Sequence, residues 1–294
     1  TVIEVEATDG GTTDVEINEA RDVGRFIRVS GSDVARGQEV LAAGDVIGPA
    51  QLGVLAALGV TEVVCRRRPV VLVCSTGSEL AEDPVPGSGQ IRDANGALLA
   101  AAVEEAGAVP SRVVWVADDV PAFLALLDEQ LAGGGIDLVL TSGGVSAGAY
   151  EVVKDGLGPR GVEFVKVAMQ PGMPQGSGVV ADVPVVCLPG NPVSALTSFE
   201  VFVRPALRAA FGHPSPQRPV VSATLTESLT PLRGKRQLRR GRLDRAARSV
   251  EPWGPPGSGF LGWFAGADAL IDLPADGSAL AAGDTVDVWD LRLG

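Results

Sequence analysis

The stretch TSGGVSAGAYEVVK, residues 141–154, follows an apolar run and sets hydroxyls, adjacent glycines and a carboxylate close together. Paired glycines let backbone N–H groups approach a ligand and form an anion-binding nest. Ser142 and Ser146 would add hydroxyl donors beside Gly143 and Gly144, and a helix starting beyond them would direct its positive end inward. A phosphate or a polar ring suits such a rim, although a tight turn explains a Gly-Gly pair equally well. Four carboxylates, Glu79, Asp118, Asp119 and Glu151, also fall just past apolar runs. Singly each reads as a cap or a solvated loop residue. Together they suit a divalent cation, because magnesium takes one or two carboxylates plus substrate phosphates.

The elements that must position these residues are legible around them. Between residues 69 and 212, continuous apolar runs (PVVLVCS, RVVWVAD, IDLVLTS, VPVVCLP) alternate with helical patterns at 94–107, 120–134 and 192–212. That alternation predicts an α/β domain with a mainly parallel sheet covered on both faces. Ligands of such sheets bind beyond the carboxyl ends of the strands. The loops there are Ser75–Glu79, Asp118–Asp119, Thr141–Ser146 and Pro189-Gly190-Asn191-Pro192. Asn191 and Pro192 also fit helix initiation on their own. Residues 1–66 alternate short apolar and polar runs and predict β-structure, with one helix over 48–60. HPSPQRP (213–219) reads as a linker, and residues 217–294 as a small C-terminal β-barrel or sandwich.

The chain has 294 residues, enough for two or three domains, and a formal net charge of -12. That charge argues against a general nucleic-acid surface but allows a local basic pocket. The sequence shows no apolar run long enough to cross a membrane and no signal peptide. It starts at Thr1, which suggests that the true N-terminus is absent. Cys65, Cys74 and Cys187 sit in apolar settings without metal-ligand spacing and read as buried, reduced thiols, which fits a cytoplasm. The single histidine, His213, reads as a surface residue near a helix end, and a Ser-His-Asp triad is rejected. RGKRQLRRGR (233–242) carries six basic residues in ten. It reads as an anion clamp or a solvated strand, with Lys235, Gln237 and Arg239 on one face and Arg236, Leu238 and Arg240 on the other.

STGSEL, GQIRDANG, ADD, LVLTSGGVSAGAYEVVK, VAMQPGMPQG, LPGNPVSA and GSGFL occur in the order that resembles the molybdopterin molybdenumtransferase family, of the MoeA and gephyrin E-domain type. The resemblance implies an elongated, cytoplasmic homodimer with a molybdopterin-binding central domain and a C-terminal β-barrel. It implies insertion of molybdate into adenylylated molybdopterin with release of AMP, assisted by Mg²⁺. Carried over by motif, Glu79, Asn95, Asp118, Ser142, Gly143, Gly144, Ser146, Glu151, Pro189, Gly190 and Asn191 line the site. Glu79, Asp118 and Glu151 take catalytic roles, and Glu79 and Glu151 hold the metal. Asp33, Arg240 and Ser258 join as substrate-binding residues from other segments. A molybdopterin adenylyltransferase is an expected partner.

The sequence departs from the family pattern. The usual Ser-x-Met-Asp-Gly-Tyr-Ala opening is absent, and residues 1–66 resemble the latter part of the N-terminal region. Ser78 and Glu151 each stand where Asp is usual. Gln170 and Met173 stand where many relatives carry lysines, which predicts weaker oxyanion binding unless Lys154, Lys166 or the 235–240 cluster compensates. Two other readings fit the same fold: molybdopterin adenylyltransferase, which the flanking segments 1–66 and 220–294 argue against, and a non-catalytic gephyrin-like scaffold or pterin-binding protein.

Overall fold

The computed structural model describes residues 2–81, 85–116, 119–145 and 151–293. The chain divides into two compact units, Thr1–Val64 and Cys65–Gly294.

The first unit corrects the expectation of β-structure. It holds a single antiparallel bridge, Thr8 to Ile17, a three-residue 3-10 turn at Val5–Ala7 and one α-helix, α1 (Pro49–Ala57), among its described residues. Its apolar residues fall singly between turns, so no ladder forms, and most of its backbone hydrogen bonds are local, such as Ala7 N to Glu4 O at 3.0 Å. Pro49 opens α1, where its missing N–H costs no helical bond, and Gly59 (φ 72°) follows its end.

The second unit contains the predicted α/β sheet and barrel. Its elements in chain order begin with β1 (Val70–Thr76), β2 (Leu80–Ala81), β3 (Ile91–Arg92), α2 (Ala94–Glu105), β4 (Val109–Val116), α3 (Val120–Ala132) and β5 (Leu138–Ser142). There follow α4 (Val152–Leu157), β6 (Glu163–Lys166), β7 (Met169–Gln170), β8 (Pro174–Val180), β9 (Val183–Leu188), α5 (Pro192–Ser198) and α6 (Arg204–Ala210). A π-helical turn at Phe199–Val203 joins α5 to α6, so the predicted long helix is one run with an internal irregularity.

The main sheet has the order β4-β1-β5-β9-β8-β6. Its first four strands are parallel, and β8 and β6 add antiparallel. Alternate residues of β1 explain the three layers. Leu72 and Cys74 join Phe123 and Leu157 in a core on one face, while Val71 and Val73 join Leu99, Leu140 and Phe199 on the other. Both faces are dry, so the strands read as unbroken apolar runs. The β6–β8 hairpin escapes sequence reading because its few apolar residues, Phe164, Val165, Val179 and Val180, are interrupted by charged, polar and glycine residues.

The barrel follows with β10 (Val220–Leu225), β11 (Arg236–Asp244), β12 (Ser249–Pro252), α7 (Leu261–Ala265), β13 (Ala269–Leu273) and β14 (Thr285–Asp290). The order β12-β10-β14-β13-β11, closed by β11 pairing with β12, makes a five-stranded barrel around Leu225, Val250, Ile271 and Val288. The two parts are sewn together by β7, which pairs with β11 through Arg236–Met169 and Gln237–Gln170. A second seam runs through the buried Arg218, which donates to Glu200 Oε2 at 2.8 Å and to the Leu291 carbonyl at 3.0 Å.

Three surface expectations need correction. Cys65 is exposed, whereas Cys74 and Cys187 are buried, because Cys65 lies outside the strand that its apolar neighbours suggested. His213 is half-buried, with Arg208 Nη2 2.7 Å from its Nε2. The reading of 233–242 as a solvated strand also fails: Gln237, Leu238 and Arg240, which lie on both faces of β11, are all buried.

Candidate functional site

The carboxyl ends of β1, β5 and β9 open into a cleft of about 630 Å³. Of the residues singled out from sequence, Glu79, Asn95, Ser142, Gly143, Gly144, Glu151, Pro189, Gly190, Asn191 and Ser258 all line it. Asp118 and Ser146 lie outside the described residues.

The floor is built by cross-strand register. Ser75 and Ser142 are paired neighbours on β1 and β5, and Ser142 in turn pairs with Leu188 on β9. Asn95, in the first turn of α2, donates from Nδ2 to Ser142 Oγ at 2.7 Å and to the Gly190 carbonyl at 2.6 Å. Gly190 O can only accept, so it fixes the orientation of the amide. The helix that presents Asn95 starts there because Asp93 caps it, accepting from Gly96 N at 2.9 Å.

The paired glycines line the cleft and are also packed closely against the protein itself. Gly143 (φ 98°) packs so tightly that a Cβ would lie 2.5 Å from the Thr76 carbonyl oxygen, and its N–H donates to Leu188 O at 3.2 Å. Gly144 (φ 62°) would put a Cβ 2.9 Å from Val153 N. Their conformational freedom lets Gly143 sit against the end of β1 and Gly144 against the start of α4, and the Gly143 amide is already satisfied. The helix after the loop, α4, has only six residues.

Asn191 occupies the N-cap position of α5 but makes no side-chain capping bond. Its Nδ2 instead donates to Ser258 Oγ at 2.9 Å, and Val193 N donates to Ser258 O at 3.2 Å. The barrel thus supplies one wall of the cleft. Arg240 does not line it. This buried side chain donates to the carbonyls of Gly257 (3.0 Å) and Pro255, holding the loop that carries Ser258. Burial first, and the neighbouring Arg239 second, lower its pKa. Asp33 belongs to the first unit, where it is exposed and 3.3 Å from Arg28 Nη2.

Glu79 and Glu151 face the same cleft, Glu151 being largely buried at the start of α4. The described residues contain no group of three or more metal-ligating side chains. Two carboxylates nonetheless match the donor set of a magnesium ion completed by substrate phosphates. Ser75, in the strand-end loop singled out from sequence, also lines the cleft, as do Arg92 and Ser194, which sequence reasoning did not single out although they lie in the GQIRDANG and LPGNPVSA stretches.

Comparison with known proteins defines the class first. Residues 72–209 match the probable molybdopterin binding domain, residues 222–291 the MoeA C-terminal region (domain IV) and residues 1–59 the MoeA N-terminal region (domains I and II). A crystal structure of the molybdopterin biosynthesis MoeA protein from Pyrococcus horikosii superposes with a TM-score of 0.77 at 29% identity, covering 99% of this chain and 71% of that one. Molybdopterin molybdenumtransferase 2 of Mycobacterium tuberculosis is 54% identical over 99% of this chain and 73% of its own length. Molybdopterin molybdenumtransferase 1 of the same species is 37% identical over 98% of this chain and 70% of its own. The chain belongs to the molybdopterin molybdenumtransferase family.

Proposed function

We propose that the chain is an enzyme of molybdenum cofactor biosynthesis, inserting molybdate into the dithiolene of adenylylated molybdopterin with release of AMP. The observation that carries this reading is the single cleft. Loops from three parallel strands and one barrel loop converge on it, at the place where α/β sheets bind ligands. Asn95 and Asn191 order its floor and wall, and Ser142 and Ser258 place hydroxyls along it. Its volume of about 630 Å³ suits a molecule the size of a nucleotide-linked pterin. Glu79 and Glu151 would hold Mg²⁺, which supplies charge stabilisation to the phosphoanhydride when bound.

We further infer a homodimer working in the cytoplasm and receiving its substrate from a molybdopterin adenylyltransferase. Residues 69–212 and 217–294 act in it as separate modules of the second unit. Glu151→Gln tests the site: Mg²⁺-dependent turnover should fall at least tenfold with little change in melting temperature. Unchanged kinetics would remove Glu151 from the site.

A further inference from the structure

The segment 170–174 forms one wall of the cleft, which Gln170, Gly172, Met173 and Pro174 all line. It runs from β7, which pairs with the barrel, into β8, which belongs to the main sheet. Little in its own sequence holds it in place. Pro171 and Pro174 have no backbone N–H to donate, and none of its side chains is charged. Neutral contacts act only at close range, so what such a wall offers a ligand depends on where it is held.

Gln175, the next residue, supplies a hold. It is buried, lies outside the cleft lining, and donates from Nε2 to Gly172 O at 2.6 Å and to Ser198 Oγ at 2.6 Å. Gly172 O can only accept, which fixes the orientation of the amide. Ser198 is fully buried at the end of α5, the helix whose first turn lines the cleft through Pro192 and Ser194. Gly172 (φ 100°) packs so closely there that a Cβ would lie 2.6 Å from Ser198 Oγ. Val167 N also donates to Met173 O at 2.7 Å. Gln175 Oε1, by contrast, is buried with no hydrogen-bond partner among the described residues, which is unfavourable. An apolar side chain of similar shape would avoid that penalty, so packing alone does not account for an amide at this position.

We propose that Gln175 is a positioning residue of the cleft, its amide clipping the 170–174 wall to the end of α5 so that the wall meets the bound substrate at a fixed distance. The inference rests on the function proposed above and adds to it a residue that touches no substrate. The wall is then held at both ends and at its middle. Gln170 pairs with Gln237 of β11, Gln175 pairs with Val165 of β6, and the clip fixes Gly172 between them.

The test compares wild type with Gln175→Met, which keeps the size and removes the donor, and with Ser198→Ala, which removes one acceptor. Amide hydrogen exchange of the whole chain is followed by mass spectrometry, and calorimetric titration gives the affinity for adenylylated molybdopterin. Both variants should exchange about fivefold faster in peptides covering 167–175, with β1 and β5 unchanged, and Gln175→Met should bind about fivefold more weakly. A merely structural role would speed exchange across the sheet as well as in the wall, and that result would overturn the inference. So would an unchanged affinity, or a weaker affinity with unchanged exchange in 167–175, and each leaves the functional reading standing. If Gln175→Met does not fold, Ser198→Ala decides alone: faster exchange confined to 167–175 together with weaker binding supports the clip, and any other result opposes it. Failure of wild type to bind adenylylated molybdopterin would overturn the functional reading and this inference with it.

Discussion

Asn191 Nδ2 donates to Ser258 Oγ across 2.9 Å, joining the strand-end loop after β9 to the barrel at the edge of the cleft. The bond uses a side chain that by type and position should cap α5, so capping is given up for a cross-link between the two parts of the unit. Asn191→Ala and Ser258→Ala should each raise the KM for adenylylated molybdopterin by about five- to tenfold, on the scale of one hydrogen bond. The double variant should be no worse than either single one. Additive losses in that double-mutant cycle would show that the two residues act separately.

Asn95 should behave as a structural clasp. Its Nδ2 satisfies both Ser142 Oγ and Gly190 O, so Asn95→Ala strands an acceptor at the cleft floor. Loss of about 1–3 kcal/mol of stability is expected, together with reduced turnover. Denaturant unfolding and a parallel assay measure the two effects.

Gly143 and Gly158 form a matched pair. A Cβ on Gly143 meets the Thr76 carbonyl at 2.5 Å in a left-handed backbone, whereas nothing lies within 4 Å of one on Gly158. Gly143→Ala should therefore cost about 1–3 kcal/mol and lower the melting temperature. Gly158→Ala should be neutral or slightly stabilising. Because the clash is with protein backbone, a larger residue at 143 disturbs the sheet ends as well as any ligand.

Acid should weaken the fold through Asp290. Burial raises its pKa, but hydrogen bonds from Arg245 (2.8 and 2.5 Å) and from Arg292 N (2.9 Å) outweigh it and hold the carboxyl below its ordinary 3.8. A depressed folded value contributes stability in full above 3.8, and that stability is lost as pH falls through the lower folded value. Chemical unfolding between pH 5 and pH 2.5 should show a shallower acid limb in Asp290→Asn than in wild type.

Thiol labelling should distinguish the cysteines. Burial pushes Cys74 and Cys187 up to about 12, whereas Cys65 is exposed. The native protein should take up one equivalent of a thiol reagent quickly at neutral pH and the other two only on unfolding.

The α/β domain was legible because its strands are buried on both faces and its helices carry ordinary start signals at Asp93, Asp119 and Pro192. Residues that share the ends of parallel strands had to converge, so Ser142, Gly190 and Asn191 could be placed together from order alone. What escaped reading depended on contacts distant in sequence. Gly143 reads as a ligand nest until Thr76 is seen against it. Arg240 reads as a ligand until the Pro255 and Gly257 carbonyls are found on its guanidinium. The 163–180 hairpin lacks an unbroken apolar strand, so its antiparallel addition to the sheet was hidden. In the first unit, apolar residues spaced at strand-like intervals form turns, because periodicity says nothing about whether a partner strand is at hand.

The most direct test of the whole account is release of AMP by the purified chain incubated with adenylylated molybdopterin and Mg²⁺, followed with and without sodium molybdate. Release that depends on molybdate and yields a metal-loaded pterin is the predicted result. Tight binding of the nucleotide-linked pterin with no AMP release at any molybdate concentration would contradict it.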